Sequence, residues 1–271
     1  MSISKLYESR CRKNELGELK PTFWKPEPLK GLPICFYSDV SKPSSDGIEI
    51  IRRLIGLALK LEVEAGELVL KGIKKELPKA SPKLIPLLKS NAADESRHFR
   101  GFQLASEAYG DYGNDPTLTA LRDEWLTYGD SSKSHPIHTA GLLELSVFLI
   151  SLGVLRIVGN TELTNLSLAI AEDEFRHVNT NVAVSRGLGF WGRNSATEQA
   201  LIDSTIEWVW GDGIDNAPSG LTLDNLKRFS RELVQNLESK EFDSMTWYSV
   251  HNLPFELSNS SMYQAREFAD V

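Results

Sequence analysis

The stretch DESRHFRGF, residues 94–102, is echoed by DEFRHVNTN, residues 173–181. Each copy begins Asp-Glu and continues, after one variable residue, with Arg-His. Glutamate and histidine therefore stand three apart, Glu95 with His98 and Glu174 with His177. On a helix, positions i and i+3 share a face, so carboxylate and imidazole point at the same spot. The chain has only five histidines, and two of them sit in this setting. Charged residues inside a core are costly unless they are paired or bind a cation. The echo therefore asks for a chemical reason, and a metal is the first to test.

Outward from the echo, four long helical patterns form two hairpins, each with one copy in its second helix. The first helix is expected from about Asp46 to Leu77, stopped by Pro78. The second opens at Ser81-Pro82 and ends near Gly110, with Pro86 delaying or bending its first turn. The third opens at Ser134 to Pro136 and fades near Gly159, and the fourth runs from Thr161 to Gly187. A short helix from Asp115-Pro116 to Tyr128 lies between the hairpins. Helices near 195–209 and 222–240 follow, then a polar tail holding Trp247, Pro254 and Phe255. Little of the chain alternates with period two, so sheet content should be low. The expected fold is all-α: one domain over 1–271, with a four-helix core at 46–187. An irregular, proline-rich segment, 1–44, drapes over that core, and C-terminal helices and a tail occupy 188–271.

A paired Glu-x-x-His on two helices, with one glutamate from each of two more, builds a di-metal carboxylate site in a four-helix bundle. The second hairpin supplies one acid in the run AGLLELSVFLISLG, Glu144. Glu144 and Glu174 stand at about equal distances from the turn between their helices, which places them at the same height. The first hairpin offers Glu62, Glu64 and Glu67 in KLEVEAGEL. Glu62 falls in the stripe of Ile51, Ile55, Ala58, Val69 and Ile73, while Glu67 falls among lysines and an arginine. Glu64 lands on the polar side and would serve only in a locally distorted helix. The candidate metal ligands are thus Glu62, Glu95, His98, Glu144, Glu174 and His177, with Glu64 in reserve.

A ligating histidine usually donates its other ring N–H to a carboxylate. The pseudo-symmetry predicts a crossed pairing, Asp94 to His177 and Asp173 to His98, with Arg97 and Arg176 balancing the negative charge. Ala58, Ala65, Phe102, Phe148 and Ser151 lie around the ligands as candidate walls of a substrate cavity. His135 and His138, at the start of the third helix, read as capping or surface groups.

These residues resemble the ferritin-like di-iron carboxylate superfamily over about 50–187. Its members include ribonucleotide reductase small subunits, multicomponent monooxygenases, acyl-carrier-protein desaturases and the cyanobacterial aldehyde-deformylating oxygenase. The last is the most similar locally, through EVEA from Glu62, SRHFRGF from Ser96, LLELS from Leu142 and DEFRHVN from Asp173. The resemblance implies that Glu62 and His98 bind one iron and Glu144 and His177 the other, with Glu95 and Glu174 bridging. It implies two iron ions, or a manganese–iron pair on the same donors. The residues before 45 and after 187 find no counterpart. Phe102, four past His98, stands where reductase small subunits usually keep a radical tyrosine.

The expected function is an oxygen-activating di-iron oxidoreductase, an oxygenase or oxidase, acting on a small or lipid-like organic substrate beside the metals. The alternatives are a reductase-like radical generator serving a larger partner and an iron-binding or peroxide-detoxifying ferritin-like protein. The sequence holds no flavin or nicotinamide fingerprint, so an external donor such as a ferredoxin is implied, for which the lysine-rich edge of Lys71, Lys74, Lys75, Lys79 and Lys83 is a candidate dock. The net charge of −7 argues against a nucleic-acid partner. Cys11 and Cys35 form no metal-binding spacing and suit a reducing cytoplasm. The apolar run from Ala140 to Val158 contains Glu144 and reads as a helix buried in protein rather than a membrane span. A homodimer is compatible with this reading.

Overall fold

A computed structural model describes residues 5, 8, 11–13, 16, 19–21, 23–32, 45–75, 77, 82–191, 195–211 and 221–238. Pro78, Lys79, Ser81, Cys35 and the tail beyond 238, with Trp247, His251, Pro254 and Phe255, lie outside them. Among the described residues there are seven helices and one short ribbon, in which β1 (Cys11–Lys13) pairs antiparallel with β2 (Leu19–Pro21). The helices are α1 (Ser45–Lys74), α2 (Leu84–Tyr109), α3 (Pro116–Asp130), α4 (Pro136–Val158), α5 (Thr161–Gly187), α6 (Ala196–Trp210) and α7 (Leu223–Glu238). The all-helical expectation holds.

The sequence places most ends within two residues, because the caps are local chemistry. Asp115 accepts from the backbone N–H of Thr117 at 2.7 Å and of Leu118 at 3.2 Å, with Pro116 as the first helical residue. Asn160 accepts from Leu163 N–H at 3.1 Å to open α5. Ser195 and Glu198 form a capping box on α6. Three ends differ from expectation. Helix α1 stops at Lys74 rather than Leu77. Helix α2 begins at Leu84, with Lys83 as an N-cap that makes no side-chain bond. Pro86 then sits in the first turn, where its missing N–H leaves no helical bond unmade. Helix α4 is capped by His135 rather than Ser134, its Nδ1 accepting from Ile137 N–H at 3.3 Å.

Helix α1 packs along α2, and α4 along α5; α2 also meets α5, and α1 meets α4. The four long helices thus pack around two apolar clusters, the smaller built from Leu68, Leu84, Leu88, Ile137 and Val184. Helix α3 braces α1 and α4, and its Trp125 donates to Thr205 of α6 at 3.0 Å. Helices α6 and α7 pack on each other and on the middle of α4. The 23-residue helix α4 is long and apolar enough to cross a membrane, yet 83% of its most apolar window is buried within the protein.

The middle of α4 is not α-helical. Glu144–Phe148 form a π-helical turn, the first residue of which is Glu144. Such a turn inserts a residue and re-aims the side chains around it. Two contacts hold it. Ser146 Oγ donates to Leu142 O, and Ser230 Oγ of α7 donates to Ser146 O at 3.2 Å. The surrounding helices therefore supply bonds that a regular ladder would otherwise have made.

Residues 23–32 carry no regular structure and lie across the bundle. The backbone N–H of Lys30 reaches the Glu162 carboxylate at 3.0 and 3.1 Å, and Asn160 Nδ2 donates to Leu32 O at 2.9 Å. Residues 23–32 thus lie over the bundle, but the β1–β2 ribbon corrects the expectation that residues 1–44 are irregular throughout.

Candidate metal centre

All six candidate ligands are buried, at 1% exposure or less. Glu62 comes from α1, Glu95 and His98 from α2, Glu144 from α4, and Glu174 and His177 from α5. Gly66 explains how α1 comes so close to α2 at this level. A Cβ there would lie 3.1 Å from Glu95 Cγ and 3.2 Å from Ala92 O, so a larger residue would press directly on a ligand.

The Nδ1 atoms of both histidines face the carboxylates. His98 Nδ1 lies 3.2 Å from Glu62 Oε2, 3.2 Å from Glu95 Oε2 and 3.1 Å from Glu174 Oε1. His177 Nδ1 lies 2.9 Å from Glu95 Oε1, 3.6 Å from Glu174 Oε2 and 3.9 Å from Glu144 Oε1. Glu95 and Glu174 thus reach both imidazoles, one oxygen to each, while Glu62 meets only His98 and Glu144 only His177. One ligand atom from each of Glu62, Glu95, His98 and Glu174 lies within 4.8 Å of the others, as do those of Glu95, Glu144 and His177. Glu64 is elsewhere, 3.8 Å from Arg122, and Glu67 is exposed.

The Nε2 atoms face outward, and the crossed pairing is present. Asp94 Oδ2 lies 3.1 Å from His177 Nε2, and Asp173 Oδ2 lies 3.2 Å from His98 Nε2. Arg97 pairs with Asp94 and reaches Asp173 at 3.5 Å, while Arg176 pairs with Asp173. Each aspartate thereby fixes one ring orientation, and the arginines offset its charge.

Electrostatics favour positive charge inside the cluster. Burial pushes Glu62 and Glu144 well above the usual carboxylate range, and Glu95 and Glu174 push both the same way. Burial also pushes Glu95 upward, but the two imidazoles outweigh it and hold this carboxyl far below its usual value. Burial alone would lower both histidines. Instead, Asp173, Glu174 and Glu62 raise His98, and Glu95 and Glu174 raise His177 to about 10. Protons thus stand in for positive charge. Even so, Glu95 Oε1, Glu144 Oε1, both Glu174 oxygens and His177 Nδ1 make no well-aligned hydrogen bond. Four carboxylates and two imidazoles with orphaned, inward-facing atoms can hold a metal ion.

A constricted apolar pocket of about 10 Å³, room for about one water molecule, reaches Glu62. Ala58, Phe102, Phe148 and Ser151 line it, as the sequence suggests, together with Leu54, Leu57, Leu152 and Leu155. Ala65 does not. It is fully buried one turn past Glu62, away from the Leu54–Glu62 stretch of α1 that forms the wall.

Contacts of three residues are not legible in the sequence. Asn181 Nδ2 donates to Glu144 Oε2 at 2.7 Å. Trp24 Nε1 donates to Asp173 Oδ2 at 2.9 Å, and its ring stacks toward His98 with centroids 6.2 Å apart. Phe23 covers the Arg97 guanidinium at 4.0 Å. Asn181 is legible only as a break in the echo, since it occupies the position that Phe102 holds in the first copy. Trp24 lies in a segment without periodicity, which gives no sign of where it docks.

His135 caps α4 as expected, but neither it nor His138 is a surface group. His138 is buried, its Nε2 lying 3.0 Å from Glu198, which also accepts from Tyr128. The apolar face of α4 draws both rings in against Phe190. The lysine edge is partly committed. Lys71 pairs with Asp130 at 3.2 Å and Lys83 with Glu8 at 2.9 Å, while Lys74 and Lys75 are exposed.

Comparison with protein-family models, with curated proteins and with solved structures finds no match to this chain.

Proposed function

We propose that the chain is a ferritin-like di-iron carboxylate oxidoreductase that uses dioxygen on a small or lipid-like apolar substrate. The observation that carries this reading is the sharing pattern. Glu95 and Glu174 each approach both imidazoles, while Glu62 and Glu144 each approach one. Two ions that share two bridging carboxylates need that arrangement; a single ion, or a cluster of buried ion pairs, does not.

In this reading Glu62 and His98 would hold one iron and Glu144 and His177 the other, with Glu95 and Glu174 available to both. A manganese–iron pair fits the same donors. When bound and reduced, the two ions supply the activation of dioxygen, which the side chains of this protein cannot perform alone. The chain's own residues do the rest. Asp94 and Asp173 hold the imidazole Nε2–H groups and so keep Nδ1 directed inward. The carboxyls of Glu62 and Glu144 give up their protons to become ligands. Phe102, Phe148 and the leucines of the pocket exclude water from the side where substrate would lie. Electrons come from an external donor such as a ferredoxin, with the exposed Lys74 and Lys75 as part of its landing edge.

Phe102 lines the pocket and offers no phenol to oxidise there, which favours an oxygenase over a stable-radical generator. The test is to load the chain with ferrous iron under argon, then add dioxygen, a chemical reductant and a fatty aldehyde or alkane. Oxygen consumed together with an oxidised or shortened product supports the reading. Oxygen consumed with iron mineralised and no organic product points to storage instead.

A further inference from the structure

The two halves of the centre are related by the sequence echo, so the places where that relation fails are informative. The register four past each histidine is one. It holds Phe102 after His98 and Asn181 after His177. Phe102 lines the apolar pocket that reaches Glu62. Asn181 is fully buried and donates its amide to Glu144 Oε2 at 2.7 Å. No counterpart of this bond is seen at Glu62, whose hydrogen-bonding contact within the cluster is His98 Nδ1 at 3.2 Å.

A second observation shows that Asn181 is built in rather than incidental. The helix that carries Glu144 has Gly141 one turn earlier, and a Cβ there would lie 3.0 Å from Asn181 Cβ. The glycine lets α5 approach α4 closely enough for the amide to reach the carboxylate. The π-helical turn begins at Glu144 itself, held by Ser230 from the far side. Glu144 is thus gripped by its own backbone and by a neighbour, whereas Glu62 borders the constricted apolar pocket.

We infer that Asn181 is a positioning residue that locks Glu144, and that the two metal positions are unequal. The Glu144–His177 half is rigid, and the Glu62–His98 half is the one free to rearrange beside the substrate. This rests on the di-metal reading, and physically it is a matter of ligand freedom. A carboxylate bonded through one oxygen to an amide cannot swing between terminal and bridging positions without breaking that bond. Glu62 meets no amide of this kind, and its contact in the cluster is His98 Nδ1, itself a candidate ligand atom.

The probe is cobalt(II), titrated into the full-length, metal-free chain and read by its ligand-field absorption and by bound metal per chain. The wild-type chain is expected to take two ions. Asn181→Leu is expected to weaken one of the two steps by about 10- to 100-fold and leave the other within about twofold. Gly141→Ala, which displaces Asn181 from the opposite wall, is expected to weaken the same step. Asn179→Ala, whose side chain bonds the Phe175 carbonyl at 2.6 Å, is expected to change neither. If Asn181→Leu does not fold by circular dichroism, Asn181→Ala removes the donor without adding bulk or charge, and should show the same one-step loss. Two cobalt steps unchanged in the Asn181 and Gly141 variants, or both steps weakened equally, would overturn the inference while sparing the di-metal reading. A wild-type chain that binds no cobalt would overturn both.

Discussion

The Asp94 carboxylate of α2 lies 3.1 Å from Nε2 of His177 on α5, so each hairpin orients the histidine of the other. The reciprocal contact is Asp173 to His98 at 3.2 Å. The centre is therefore a joint between hairpins, and neither half is complete by itself. Asp94→Ala is expected to weaken metal binding by about 10- to 100-fold, because the His177 ring loses its restraint and Arg97 the nearer of its two carboxylates. Cobalt titration of the variant measures this. Affinity unchanged within about twofold would show that the contact does not orient the ring.

Metal binding should compete with protons. His177 is held at about 10 by Glu95 and Glu174, so at neutral pH its ring is protonated in the metal-free chain. A ligand must be neutral, so each proton displaced raises affinity by about tenfold per pH unit. Affinity should climb across the neutral range and flatten as pH nears about 10. In the metal-free fold the same shift has the opposite consequence. Its stabilising contribution is full below the ordinary 6.5 and fades as pH rises through about 10. Calorimetry in buffers of different ionisation enthalpy counts the released protons. A pH-independent affinity with no proton release would contradict this.

How much of this was legible in the sequence varies with the range of the interactions. Helix positions were legible because caps such as Asp115 and Asn160 act on residues two or three away. The crossed aspartates were legible because the echo imposes a symmetry. The π-helical turn at Glu144 was not, since it depends on Ser230, a partner remote in the chain. The burial of His138 is not legible for the same reason, its partner Glu198 lying two helices on. The choice of Glu62 over Glu64 was legible from the wheel, because two residues along a helix reverse the facing side.

His135 offers a separate test of the fold in acid. Burial, with Lys75 and His138 adding repulsion, lowers it from the ordinary 6.5 to about 4, and its neutral Nδ1 caps α4. The unfolded chain binds the proton first. Stability should therefore be intact above 6.5 and fall as pH drops towards 4. His135→Asn keeps a capping oxygen without a titrating ring, so its melting temperature should fall less across that window. Coincident pH profiles for the two proteins would exclude His135 as the source.

Phe102 closes the pocket beside Glu62 and is 3% exposed. Phe102→Ala should cost about 3–5 kcal/mol in denaturant unfolding, the usual range for emptying a buried aromatic site. It should also extend the range of substrates towards bulkier ones, while two metal ions still bind. A cost below about 1 kcal/mol, with no change in product range, would mean that the ring is not a packed wall.

The most direct measurement is Mössbauer spectroscopy on the chain loaded with enriched iron and oxidised, with bound iron counted on the same sample. Two ferric ions per chain, spin-coupled to a diamagnetic ground state, are expected from carboxylates shared by two imidazole-bearing sites. One iron per chain, or uncoupled high-spin ferric ions, would contradict a shared centre at Glu95 and Glu174.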